Sequence, residues 1–82
     1  VRADLRNADL KGADLKAVNL SEAVMSGVNL TKADMSAAFL KSADLSDAQL
    51  FETNFFVMAE NVNLSNATIR NSKVGGLLQY AN

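Results

Sequence analysis

Large apolar residues stand at every fifth position from Leu5 to Phe55: Leu5, Leu10, Leu15, Leu20, Met25, Leu30, Met35, Leu40, Leu45, Leu50 and Phe55. Two residues before each is a small or slim one, beginning Ala3, Ala8, Ala13, Val18 and ending Ala48, Thr53. Asp or Asn fills most of the intervening positions, with Val24, Phe39 and Gln49 the departures, so the unit reads A-[DN]-L-x-x. A period of five excludes the common elements. On an α-helix it advances about 140° beyond a full turn, so the leucines spiral around the cylinder and no single face can be buried. Asp or Asn at every fifth residue also disfavours a helix interior. On a plain strand the odd step flips alternate repeats to opposite faces. A short extended triplet followed by a tight turn returns both the small and the large residue to the interior each time. Four such bends closing one circuit give a coil of about twenty residues, each coil roughly 4.8 Å above the last.

The length of 82 residues points to one structural unit. With no Cys, disulfides cannot staple it, and stability must come from stacked apolar residues at roughly 1.5 to 3 kcal/mol for each fully buried large side chain. The absence of Cys and His removes soft metal ligands, thiol nucleophiles and imidazole bases. Eight Lys and Arg against nine Asp and Glu leave net −1, which suits neither a polyanion binder nor a strong acid. Arg2, Arg6, Lys11 and Lys16 interleave with Asp4, Asp9 and Asp14, a charge-balanced rim that argues against direct nucleic-acid binding. No apolar run reaches the roughly 18 residues of a membrane span, and residues 1–5 carry no signal pattern, so a soluble chain is expected.

Residues 3–55 resemble the pentapeptide-repeat family, and the resemblance implies an all-β fold, a right-handed quadrilateral β-helix, here of about four coils. The repeats resume out of phase as Val62-Asn63-Leu64, Ala67-Thr68-Ile69 and Ser72-Lys73-Val74. The expected organisation is a single solenoid over 1–82: regular repeats 1–55, a phase shift with local distortion near 56–61, repeats again over 62–74, and a C-terminal cap over 75–82. A loop between two repeat blocks is the rival for 56–61, and a further edge strand the rival for Leu77 to Tyr80. Val1 begins inside a repeat without an initiating Met, which points to a fragment, a processed chain or a domain cut from something longer.

No catalytic, cofactor or metal site is read from the sequence, and the chain is read as not an enzyme. Asp14 under Asp34 is a candidate for a hard cation, but turn chemistry explains both, and their column continues with Asn54 and Lys73. Two carboxylates on a convex face also lack the cleft that hydrolysis needs. The apolar departures at outward positions are more informative. Phe39 replaces the Asp or Asn of its repeat, in a column expected to run from Asn19 through Met58 or Val57 to Leu78. With Phe51, Phe56 and Met58 it forms a candidate protein-contact patch. The rival is that Phe55 and Phe56 both fill the distorted corner.

The expected function is a non-enzymatic structural or protein–protein interaction module, a rigid solenoid presenting a docking surface. Its partner is another protein, or a second copy bound through a solenoid end or the Phe patch. The alternative is a DNA mimic that binds topoisomerase, resembling the quinolone-resistance members of the family. Duplex DNA carries one charge per roughly 1.7 Å, so mimicking four coils needs about eleven negative charges, against net −1. Ice binding needs a stacked Thr face, and Thr31, Thr53 and Thr68 occupy different repeat positions. Matches to glycosylation acceptors at Asn19, Asn29, Asn63 and Asn66 are read as accidents of the repeat. The resemblance suggests a bacterial source and allows cytoplasm, thylakoid lumen or secretion as an effector, so localisation stays open.

Overall fold

The Asp and Asn of each repeat bend the chain where it must turn. In the computed structural model, which describes residues 3–79 and the side chains of 3–74, the Oδ1 of Asp4, Asp9, Asp14, Asn19, Asn29, Asp34, Asp44 and Asn63 accepts the backbone N–H two residues on. Asp9 accepts from Lys11 at 3.1 Å, Asn29 from Thr31 at 3.1 Å, Asp44 from Ser46 at 3.0 Å and Asn63 from Ser65 at 2.9 Å. The following turn closes with a backbone bond from the small residue to the preceding large one, as in Ala8 N to Leu5 O at 3.1 Å and Ala43 N to Leu40 O at 3.0 Å. Its third residue has positive φ, the requirement of a type II turn. Asn7, Gly12, Ala17, Glu22, Gly27, Lys32, Ala37, Ser42, Asp47 and Glu52 all do, one in every five residues.

Between turns the short extended triplets pair in parallel with the triplets twenty residues on: Asp4 with Val24, Asp14 with Asp34, Asn29 with Gln49 and Asp34 with Asn54. The longer pairings are strands β1 (Gln49–Phe51), β2 (Asn54–Glu60), β3 (Thr68–Arg70) and β4 (Lys73–Gln79). β1 pairs with β3 and β2 with β4, both parallel. Parallel stacking of successive circuits, with no helix among the described residues, is a fold of β-helix type.

The stacking offset drops from 20 to 19 between Asn54 and Met58: Asp34 pairs with Asn54, but Phe39 pairs with Met58 and Asp44 with Asn63. The residue left out is the left-handed corner. Ala37 holds φ 62° in the layer below, whereas the next positive φ after Glu52 falls at Asn61. β2 therefore runs extended through the place where a turn would stand. No loop leaves the stack there. β4 repeats the device, since all seven residues of β2 pair with β4 at the same offset, from Asn54–Lys73 to Glu60–Gln79. Gly75 to Gln79 thus pair beside β2 as an edge strand. Tyr80 to Asn82, the rest of the segment read as a cap, lie outside the described residues. The Phe39 column passes through Met58 to Leu77 and not to Leu78, which pairs with Ala59.

The interior is the paired column of small and large residues. Met25, Leu30, Met35, Leu40, Leu45, Leu50 and Phe55 are fully buried, with Ala23, Ala33, Ala38, Ala43 and Ala48 between them. Leu5, Leu10, Leu15 and Leu64 are only partly buried against this core. Thr53 occupies a small-residue slot and hides its hydroxyl by donating to Leu30 O at 2.6 Å.

Candidate functional site

Strand alternation decides which residues of β2 face water. Phe55, Val57 and Ala59 point inward and are buried, while Phe56 and Met58 point outward, 58% and 43% exposed. The two phenylalanines at the short corner therefore do not both fill it: Phe55 joins the core and Phe56 leaves it. Phe39 lies directly beneath Met58 as its ladder partner and is 44% exposed. Backbone bonds hold this pairing from both sides, Leu40 N to Met58 O and Met58 N to Ala38 O, each 2.9 Å. Phe56 sits over the corner below, where Ala37 N donates to Phe56 O at 2.8 Å. Three large apolar side chains thus share one face, on positions that are polar in most other repeats.

Phe51 stands elsewhere. It belongs to the β1–β3 sheet, is half-buried, and lies beneath its register partner Arg70, whose guanidinium carbon is 5.8 Å from the ring centroid. Thr31, Asp47, Gln49 and Thr68 are among the residues that line an open groove around this pair. Ile69 and Val74 are also exposed, 41% and 43%, although they occupy the inward large position of their repeats. Their repeat position is inward, but no layer above covers them among the described residues, and the periodic pattern carries no signal of that.

Arg6 and the aspartates of the regular repeats are engaged locally. Arg6 grips Asp4 with Nε to Oδ1 at 2.9 Å and Nη2 to Oδ2 at 2.7 Å, and this bond holds the Asp4 carboxyl at about 2. Asp34 is also lowered, chiefly by the Ser36 backbone N–H and then its hydroxyl, and Asp44 likewise by Ser46. Asp14 and Asp34 are ladder partners, but each spends an oxygen on its own turn, Asp14 toward Lys16 N at 3.2 Å and Asp34 toward Ser36 N at 3.0 Å. Among the described residues no three acidic side chains converge. These carboxylates shape turns, and their pKa values move in the direction that accepting hydrogen bonds requires.

The repeat unit has a counterpart among known families. Residues 1–36 and 19–55 match the family described as pentapeptide repeats, in eight copies. The chain belongs to the pentapeptide-repeat family. In this pentapeptide-repeat protein the Asx bonds, the small and large inward residues and the parallel ladder are the physical content of that match. No curated protein matches the chain. No described helix is long and apolar enough to cross a membrane.

Proposed function

We propose that this chain is a right-handed quadrilateral β-helix of about four coils that works as a non-enzymatic docking module. Its contact surface centres on Phe39, Phe56 and Met58, with Phe51 at the margin one corner away. The carrying observation is that three large apolar side chains, each more than 40% exposed, gather on one face of a chain whose other outward positions are mostly polar. Water makes such a face costly to leave bare, at about 25 cal/mol per Å² of apolar surface. A backbone tied by parallel hydrogen bonds at every layer loses little freedom on binding, which favours use as a rigid platform. DNA mimicry has weaker support, because the acidic column Asp14–Asp34 gives way to Asn54 and Lys73 after two layers.

The test is the double variant Phe39→Ser with Phe56→Ser. Both side chains are exposed, so the circular dichroism spectrum and melting temperature should stay close to those of the parent. Self-association by light scattering and binding to any protein partner should weaken at least tenfold. Unchanged association in both assays would sink the docking reading.

A further inference from the structure

The same face carries charges in a pattern that can complement itself. Lys41 and Glu60 occupy one corner in adjacent layers, nineteen residues apart like Phe39 and Met58, and Ser42 N donates to Glu60 O at 2.7 Å across that step. Neither makes an ion pair among the described residues, where Arg6–Asp4 is the salt bridge. Phe39 and Lys41 therefore lie in one layer, with Met58 and Glu60 stacked on them in the next.

We propose that the occupant of the apolar face is a second copy of this chain, related by a two-fold axis that lies in the contact plane between these two layers. That operation exchanges the layers and keeps the corners opposite themselves. Phe39 then meets the partner's Met58, Lys41 meets the partner's Glu60, and Phe56 lies over the partner's Ala37. Each contact occurs twice, as an isologous interface requires. Opposite charges at the rim fix the antiparallel orientation, because a parallel pairing of the same faces leaves Lys41 and Glu60 facing other groups. The face belongs to a molecule with Cα extents of 25 × 24 × 23 Å, so the contact falls at the small end of specific interfaces and a micromolar dimer is expected.

This inference rests on the docking reading and adds the identity of the partner. The test is sedimentation or light scattering from about 1 µM to several hundred µM, the range in which an affinity of that order is measurable. The parent should form a dimer that weakens with salt. Lys41→Glu and Glu60→Lys, each alone, should raise the dissociation constant at least tenfold, since every rim pair becomes a like-charge pair. An equimolar mixture of the two variants should associate again as a heterodimer, because Glu at 41 then faces Lys at 60 and Lys41 faces Glu60. The double variant should also recover. A parent that stays monomeric throughout, or a mixture no more associated than its components, overturns the second-copy proposal. In that event Phe39→Ser still abolishing contact with a different protein leaves the docking reading standing. Loss of effect there as well removes both.

Discussion

A glycine at the third position of a turn is worth most where the layer below leaves no room. Gly12 and Gly27 both hold positive φ, 69° and 72°, but a Cβ on Gly12 meets open space while one on Gly27 runs into the Asn7 side chain. Eleven other residues with side chains already hold this conformation in the described structure, so the turn tolerates a Cβ at a cost of roughly 1–2 kcal/mol. Gly12→Ala should therefore cost about 1 kcal/mol. Gly27→Ala should cost more, because Asn7 must also turn away, and urea denaturation of the pair checks the order. The carboxylates set the response to acid. Asp4, Asp34 and Asp44 all lie below their ordinary value of 3.8 when folded, so the stability they contribute is complete above that value. It is lost as pH falls from about 4 toward the Asp4 value of about 2. The urea midpoint should fall over that interval, and Asp4→Asn should flatten part of the fall; a midpoint that rises on acidification contradicts the assignment.

An element that skips a turn is harder to read than one that makes it. The inward positions and corners up to Phe55 were legible because most turns follow an Asp or Asn that bonds two residues on, and the unbroken period of five carries the turns after Val24, Phe39 and Gln49 that lack one. The triplet Val57-Met58-Ala59 was not, since its inward large position holds Ala and its outward middle position holds Met. The second short corner hides for a similar reason: Gly75 and Gly76 look like a break, yet they pair with Phe56 and Val57. A strand that bends without a left-handed residue has no residue type of its own to mark it. β2 and β4 are short together, paired residue for residue from Asn54–Lys73 to Glu60–Gln79, and an extra residue in either, without a left-handed corner such as Ala37 to absorb it, shifts every later partner and turns outward residues inward. Inserting one Ser after Phe56 should therefore destabilise the chain and expose its core. A second insertion after Gly75 should recover much of the loss by restoring equal lengths. Melting temperatures and dye binding of the two insertion variants check this, and a single insertion that leaves the melting temperature unchanged would show that β2 and β4 do not share their register.

A stack of layers behaves as a one-dimensional array, in which each layer is held by the two that touch it. Burial follows that rule: the large inward residues from Met25 to Phe55 are fully buried in the middle, while Leu5, Leu10 and Leu15 are partly covered. The same substitution must then cost different amounts at different heights. Leu45→Ala removes a fully buried side chain with core on both sides, where neighbours cannot close the space, and should cost about 2–5 kcal/mol. Leu10→Ala gives up less transferred surface and leaves an opening that water can enter, so about half that cost or less is expected. Amide exchange should show the same gradient, with Leu45 N, bonded to Asn63 O at 2.7 Å, more protected in the parent than Leu10 N, bonded to Asn29 O at 2.9 Å. If Leu45→Ala and Leu10→Ala lower the urea midpoint equally, the chain unfolds as one body whose layers have lost their individual energies. If the middle substitution dominates, the central layers hold the fold together, and the face bearing Phe39 and Met58 is set on its most persistent part.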